Sequence, residues 1–432
     1  MTHPNIVFIV ADDLGYADLS CYGQTDYATP QLDQLAVDGM RFRQAYANSA
    51  LCTNTRVALI TGRYQYRFDL GLVEPLRPAH SGRGLGLPED HPTLPSLLKT
   101  QGYDTALIGK WHLGILPKFG PQKSGYDTFY GVMGGYTGYY TRIGDTGATD
   151  FYDGEQIVDI PGYTTDILSQ RAVDYIKDRK AESPPFFLSL HYTAPHLPWS
   201  SPFNEQAARI REAGPSSKIM DGGSPRIYAE MVQIMDSGIG RVTRALHDAG
   251  IRDNTLVVFT SDNGGERYSK NWPFVGRKVD LLEGGIRVPQ IVSWPGRVRE
   301  GVTDQVTIGM DLTATCLSCA GVEPSHSHPL DGKDLMPFLD GGMPIGDRTL
   351  FWRMRDRYQR AVRRGDWKYL KVADQEFLFD LSFDWRERAN FNEERPDLLS
   401  ELREMWLQWN EEMLPLPETE VPRLAKLNEM LW

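Results

Sequence analysis

The chain has 432 residues, room for one large α/β core with an appendage. Hydrophobic residues make up 41% and charged residues 24%, the balance of a folded enzyme and not of a disordered or fibrous chain. Lysine and arginine number 46 against 57 acidic residues, a net charge of -11, which argues against a general binder of nucleic acid or anionic membrane. An anionic small substrate stays open, because a local cluster of basic side chains and metal reverses the field inside a cleft.

In chain order, "NIVFIVA" (5–11) reads as a buried strand, and "TPQLDQLAVDGM" as a helix capped by Thr29 with Pro30 at its first position. "NSALCTNTRVALITGRY" puts Cys52 at the mouth of a short helix, with Arg56 four residues on. A reactive cysteine, a metal ligand and a buried thiol are all open readings of it. Next come a helix in "PTLPSLLKTQG", a strand at 103–109, a helix at 165–179 and a strand at 185–191. The long helix "YAEMVQIMDSGIGRVTRALHDAG" stops at Gly250, and strands follow at 255–261 and 289–294. Two loops rich in glycine and aromatics, 71–92 and 134–154, are long enough to face a substrate.

Strand-helix alternation on this scale predicts an α/β fold with a large mixed, mostly parallel sheet flanked by helices, and ligands at the carboxyl ends of its strands. After residue 345 the texture changes. "TLFWRMRD", "YQRAVRRGDWKYLKV" and "EFLFDLS" read as strands joined by tight turns, with "PDLLSELREMWLQWNEEM" as a closing helix. The expected division is a catalytic α/β domain over 1–345 and a C-terminal α+β subdomain over 346–432.

Four cysteines in so long a chain are no disulfide framework. "MTHPNIVFIVADD" enters a strand pattern without the charged and apolar regions of a signal peptide, and no apolar run reaches the roughly 18 residues of a membrane span. The expectation is a cytoplasmic protein. Cys21 and the pair Cys316 and Cys319 read as structural thiols in apolar surroundings.

The polar residues at strand ends carry the chemistry. Asp12 and Asp13 follow the first strand, and two adjacent acids are costly to hold together without a cation. A turn with a capping Asp is the bland alternative. Asp262 and Asn263 end a second buried strand in "TLVVFTSDNGGE". Together the four offer hard oxygen ligands suited to Ca²⁺ or Mg²⁺. Lys110 and His112 in "IGKWHLG", His196 in "HYTAPHLPW" and Lys278 in "GRKVDLLEGGIRVP" add ammonium and imidazole chemistry. Any one of them reads as an ordinary solvated side chain; strand ends on one edge of a sheet converge, so all of them together do not.

With those blocks in order, "NIVFIVADDLGYADLSCYG", "CTNTRVALITGRY", "TLPSLLKTQGYDTALIGKWHLG", "TAPHLPW", "VVFTSDNGG", "EGGIRVPQIVSWPG" and "EFLFDLSFD", the chain resembles the sulfatase family of the alkaline-phosphatase-like superfamily, over nearly its whole length. The resemblance implies hydrolysis of an aryl or carbohydrate sulfate monoester. It implies that Cys52, in the position of a C-x-P-x-R or C-x-A-x-R motif with Arg56 as its arginine, is oxidised to Cα-formylglycine by a maturation enzyme. Asp12, Asp13, Asp262 and Asn263, with residue 52, match the family's ligands for one divalent cation, Ca²⁺ first and Mg²⁺ or Mn²⁺ after it. Lys110, His112, His196 and Lys278 match its residues for sulfate binding and proton transfer, with Lys110, His196 and Lys278 on the substrate.

An aldehyde hydrate suits this chemistry, because one hydroxyl attacks sulfur and the other later loses its proton to expel the covalent sulfate. His112 is assigned to that second hydroxyl, and His196 with Lys278 to the leaving oxygen. Asn54 departs from the family's Pro or Ala. The partners expected are a small sulfate ester and the maturation enzyme, with no nucleic acid and no membrane. The alternatives are a phosphonate monoester or phosphodiester hydrolase of the same superfamily, and an unmatured, silent binder of sulfated ligands. Tyr139, Tyr140, Trp199 and Trp272 are candidates for a stacking pocket, and Tyr136 or Thr137 for a polar contact. Cys52 is expected at a surface cleft, so that its replacement spares the fold.

Overall fold

The computed structural model describes residues 3–77, 80, 84–214 and 222–416. Ten strands form the main sheet, in the spatial order Gly301–Thr303, Met40–Phe42, Gln290–Ser293, Thr255–Ser261, Asn5–Ala11, Phe186–His191, Asp104–Lys110, Thr128–Val132, Tyr152–Asp153 and Gln156–Ile157. The central four run parallel, with Asn5–Ala11 between Thr255–Ser261 and Phe186–His191. Antiparallel pairs sit toward the margins, at Gln290–Ser293 and at the Tyr152–Ile157 hairpin.

Both faces of the sheet are covered, which is why its strands read as unbroken apolar runs. Alternate residues of the first strand serve two cores. Val7, Ile9 and Ala11 join one with the helices Pro30–Val37, Thr164–Lys177 and Pro225–Asp248. Ile6, Phe8 and Val10 join the other with Cys52–Thr61, Leu94–Lys99 and Gly309–Cys319. Burying both faces along all seven residues removes most of this strand's apolar surface from water, about 25 cal/mol per Å².

The five predicted strands lie within a residue or two of their expected ends; the helices form where expected, but Leu94–Lys99 stops short of Gly102 and the long helix begins at Pro225 and not at Tyr228. The N-caps differ in mechanism. Thr93 makes the reciprocal capping box with Ser96, whereas the Thr29 hydroxyl accepts the Ser20 N–H instead of capping its own helix. Cys316 is buried in the second core, Cys319 packs against it, and all four cysteines are free thiols.

The C-terminal strands Thr349–Met354, Gln359–Arg364, Trp367–Val372 and Gln375–Asp380 form a separate antiparallel meander, backed by the helix Pro396–Glu411. Trp352, Leu402, Trp406 and Trp409 build a third core there, shared with Tyr46, Tyr66 and Leu281 of the main body. Residues 417–432 of the expected subdomain, like 78–79 and 81–83 of the first long loop, lie outside the described residues. No helix among the described residues is long and apolar enough to cross a membrane.

Candidate active site

Cys52 opens the helix Cys52–Thr61, all ten residues of which are buried, so the motif sits inside the second core. Cys52 itself is only 2% exposed, a correction to the expected surface position. Each motif residue is tied down differently. Thr53 Oγ1 accepts the Leu76 N–H, and Asn54 Nδ2 donates to the Gly71 carbonyl at 2.8 Å. Thr55 Oγ1 donates to the Ser49 carbonyl and accepts its N–H. Asn54, the residue that departs from the family pattern, thus pins the first long loop to the motif helix. Arg56 reaches Asp262 Oδ2 through Nε at 3.0 Å and Nη2 at 2.8 Å, and donates to the Lys110 carbonyl.

The acids end neighbouring strands, as adjacent parallel strands require. Asp13 Oδ1 accepts from Asn263 Nδ2 at 2.7 Å and lies 3.9 Å from Cys52 Sγ. Asp262 Oδ1 accepts the Asp13 N–H. Lys110 Nζ lies 2.6 Å from Asp12 Oδ2, and Lys278 Nζ 2.7 Å from Asp13 Oδ2. The strand before Lys110 passes so near His191 that a Cβ on Gly109 would lie 1.8 Å from the His191 carbonyl oxygen. Asp13 (φ 63°) and His112 (φ 57°) hold left-handed backbone, a cost that neighbouring contacts must sustain.

Burial dominates the electrostatics here, and the paired charges decide its outcome. Burial pushes the Asp13 carboxyl up, but Lys278 and His196 outweigh it and hold it well below the usual range. Burial and the adjacent Asp12 push Asp262 up to about 6 against Arg56. Burial opposes the Lys278 charge too, yet Asp13 and its neighbours keep that ammonium protonated. Both histidines are held neutral by burial, helped by Lys278 at His196 (about 3) and by Lys110 at His112. Burial also raises the Cys52 thiol, so an unmodified Cys52 is protonated and a poor nucleophile.

The tautomers follow from fixed acceptors. His196 Nδ1 donates to the Leu197 carbonyl at 2.7 Å, which leaves Nε2 facing Asp13 Oδ2 at 3.5 Å. His112 Nε2 donates to the Leu76 carbonyl at 2.9 Å, and its Nδ1 is a buried lone pair without a partner among the described residues.

The donor set fits a divalent cation. Ligand atoms of Asp12, Asp13, Cys52 and His196 all lie within 4.8 Å of one another. Asp12 Oδ1 and Asn263 Oδ1 are buried oxygens with no hydrogen-bond partner among the described residues. Such atoms are costly to bury unless something binds them, and hard oxygens suit Ca²⁺ or Mg²⁺.

Cys52, Arg56, Lys110, His196, Lys278, Asp12, Asp13, Asp262 and Asn263 are joined by direct contacts in this one cluster, and His112 stands beside it, bonded to the Leu76 carbonyl and under the Lys110 charge. The aromatic candidates divide otherwise. Tyr139, Tyr140 and Trp199 are buried packing: Tyr139 stacks on Tyr163 and donates to the Thr193 and His196 carbonyls, and Trp199 meets Tyr268 edge-on. Trp272 is exposed. Tyr136 stacks on His196, and Thr137 Oγ1 is buried. The two long loops do meet the site, lining a cleft beside His112 with Leu76, Arg77, Gly135, Asp145 and Thr149. Sequence reasoning missed Leu76, whose backbone carbonyl orients His112, and His191, whose Nδ1 lies 3.5 Å from Arg56 Nη1. The first works through its main chain and carries no side-chain signal; the second stood visible at the end of a predicted strand.

The comparisons agree with this geometry. The family model described as Sulfatase matches residues 4–322. The chain is 34% identical over 388 residues to N-acetylgalactosamine-6-sulfatase of Canis lupus familiaris, covering 84% of this chain and 71% of that protein. It is 33% identical over 376 residues to Arylsulfatase A of Homo sapiens, covering 81% and 70%. The solved structure of Ps i-CgsB in complex with k-i-k-neocarrahexaose superposes with a TM-score of 0.84 at 30% identity, over 100% of this chain and 97% of that one. The chain belongs to the sulfatase family and is a sulfuric ester hydrolase of alkaline-phosphatase-like fold.

Proposed function

We propose that this sulfatase hydrolyses a carbohydrate sulfate monoester with a Cα-formylglycine made from Cys52 by a maturation enzyme, at a site that also holds one divalent cation. The supporting observation is the pair of oxygens on Asp12 and Asn263, without a hydrogen-bond partner among the described residues, beside Cys52 and Asp13. Asp12, Asp13, Asp262, Asn263 and residue 52 are the proposed ligands, with Ca²⁺ ahead of Mg²⁺. The cation, when bound, supplies positive charge that acidifies a nearby hydroxyl and balances the sulfate oxygens. The hydrate of the aldehyde supplies the attacking hydroxyl and a second one for release.

The chain's own groups divide the remaining work. Arg56 holds Asp262 in place and favours negative charge at the helix mouth. Lys110 and Lys278, now folded onto Asp12 and Asp13, are close enough to turn to the sulfate oxygens once those carboxylates are otherwise engaged. His112 Nδ1 takes the proton of the second hydroxyl. Lys278, kept charged by Asp13, supplies the proton or charge at the leaving oxygen, and His196 Nε2 orients it. The carbohydrate reading is supported by the relatives' named substrate and bound hexasaccharide. The C-terminal meander and helix, proposed as a subdomain from residue 346, pack against the motif's surroundings through Tyr66 and Trp409.

The test combines two measurements. The mass of the tryptic peptide ending at Arg56 is expected to show the aldehyde or its hydrate, and a panel of sugar and aryl sulfates is expected to show sulfate release. An unconverted thiol with no turnover, in protein from its native host, would assign the silent-binder reading. Faster turnover of a matched phosphonate monoester would assign the superfamily alternative.

A further inference from the structure

Beyond the active site, both strongly exposed tryptophans of the described residues share one surface cleft with a third exposed aromatic. Trp272 is 62% exposed, Trp385 52% and Phe383 63%, and the three line that cleft with Arg386 and Arg388. Exposed rings of this size lose favourable burial, and two independent loops meet here to present them together.

Both loops are braced from beneath. The first runs from Gly265 to Lys278, closed where the Lys278 N–H donates to the Gly265 carbonyl, and clamped by Asn271, whose side chain bonds Gly265 and Gly276. The second turns at Glu387, which is buried in left-handed backbone (φ 53°). Its carboxylate accepts the Glu283 N–H at 2.6 Å and meets Lys368 Nζ at 2.8 Å. Asp384, which also lines the cleft, accepts the Arg388 and Ala389 N–H groups through Oδ2, so the rim carries two arginines against one carboxylate tied to the loop backbone. Arg386 lies over Trp272 with its Cζ 5.1 Å from the ring centroid.

We infer that this cleft is a distal subsite for a sulfated oligosaccharide, the ring faces taking the C–H faces of pyranoses and Arg386 and Arg388 pairing with sulfate. The inference rests on the carbohydrate reading of the active site and extends it. Guanidinium forks match the oxygens of a tetrahedral anion, and rigid aromatic platforms bind at low entropic cost. In a chain of net charge -11, two arginines beside exposed aromatic rings select an anionic saccharide over a neutral one. Trp272 is six residues from Lys278, an extended span of at most ~20 Å, which one oligosaccharide bridges while a sulfate lies in the active site.

The experiment titrates the full matured chain with neocarrahexaose and with a chondroitin-6-sulfate hexasaccharide, each also in desulfated form, and follows 4-nitrophenyl sulfate hydrolysis in parallel. Trp272→Ala/Trp385→Ala is expected to weaken binding of a sulfated hexasaccharide tenfold or more, with kcat/KM for 4-nitrophenyl sulfate within twofold of the parent. Arg386→Gln is expected to weaken only the sulfated form, and serves alone if the double variant fails to fold. Unchanged affinity in these variants overturns the subsite, as does equal loss on the small ester. Parent protein that hydrolyses 4-nitrophenyl sulfate but binds neither hexasaccharide overturns the subsite and spares the sulfatase assignment. Binding without any sulfate release supports the cleft while refuting the proposed chemistry at Cys52. A parent dimer dissociated by the tryptophan substitutions, seen in sedimentation, marks the cleft as a self-interface and also overturns the inference.

Discussion

Two buried charge clusters among the described residues, one around Cys52 and one beneath the C-terminal meander, differ in how their charges are met. Around Cys52, three carboxylates of Asp12, Asp13 and Asp262 face three cations of Arg56, Lys110 and Lys278, yet Asp12 Oδ1 and Asn263 Oδ1 have no partner among the described residues. Beneath the C-terminal meander, Glu283 and Glu387 share Lys368 at 2.9 and 2.8 Å. There Arg287 and the Tyr46 hydroxyl complete the Glu283 carboxylate, and Arg363 in turn donates to Tyr46. Burial raises the Glu283 carboxyl, but Lys368 and Arg287 overcome it and bring it down to about 2. Both clusters incur the same kind of desolvation penalty. The second offsets it for Glu283 but only in part for Glu387, whose carboxyl burial and Glu283 push up to about 7 against Lys368, and it joins the meander to the main body; the first leaves Asp12 Oδ1 and Asn263 Oδ1 beside the Cys52 thiol.

That contrast can be broken from either side. The largest effect is expected for Cys52→Ala, which should lower kcat by about 10⁴-fold or more while removing about 1 kcal/mol of stability at most. Steady-state sulfate release and urea unfolding check both halves. Lys368→Met should do the reverse. Two buried carboxylates lose their ammonium, at a cost of about 3–5 kcal/mol in urea unfolding, and turnover per folded molecule should persist. A folded Lys368→Met protein without turnover would show that the clusters are not separate in function.

Chelation is expected to act on the first cluster alone. EDTA should lower activity and remove about 2.7 kcal/mol of stability if the cation was present at a hundred times its Kd, with Ca²⁺ restoring both. Lys368→Met should lose the same increment, since distant sites add. The smallest effect concerns Glu74, in the loop that Asn54 pins. Its Oε2 accepts the Arg355 N–H at 2.7 Å, and burial pushes the carboxyl up to about 7. The folded protein therefore binds a proton there that the unfolded chain has lost, and this contribution fades as pH rises from about 4.5 through about 7. Glu74→Gln should remove that slope, so its Tm relative to the parent climbs by about 1–2 °C between pH 5 and pH 8.

The sequence by itself determined the elements whose signal is local. Strand runs such as 255–261 were legible because burial on both faces leaves no polar alternation, and the long helix at 225–248 because its apolar stripe repeats every three to four residues. Asp12, Asp13, Asp262, Asn263, Lys110, His112 and His196 were legible because reactive residue types stand at or soon after the ends of such strands, whereas Lys278 lies well beyond the strand Thr255–Ser261 and took its role from the family resemblance. Short strands at 40–42 and 301–303 carried too few residues for a periodicity. The fate of each aromatic was likewise undecided: Tyr139 became packing under His196, and Trp272 became surface. Only the tertiary structure gave the motif helix its burial, joined the His112 ring to the Leu76 carbonyl and set Trp385 beside Trp272. Those outcomes depend on contacts between segments far apart in the chain, and neither composition nor spacing along the chain carries the distances that decide them.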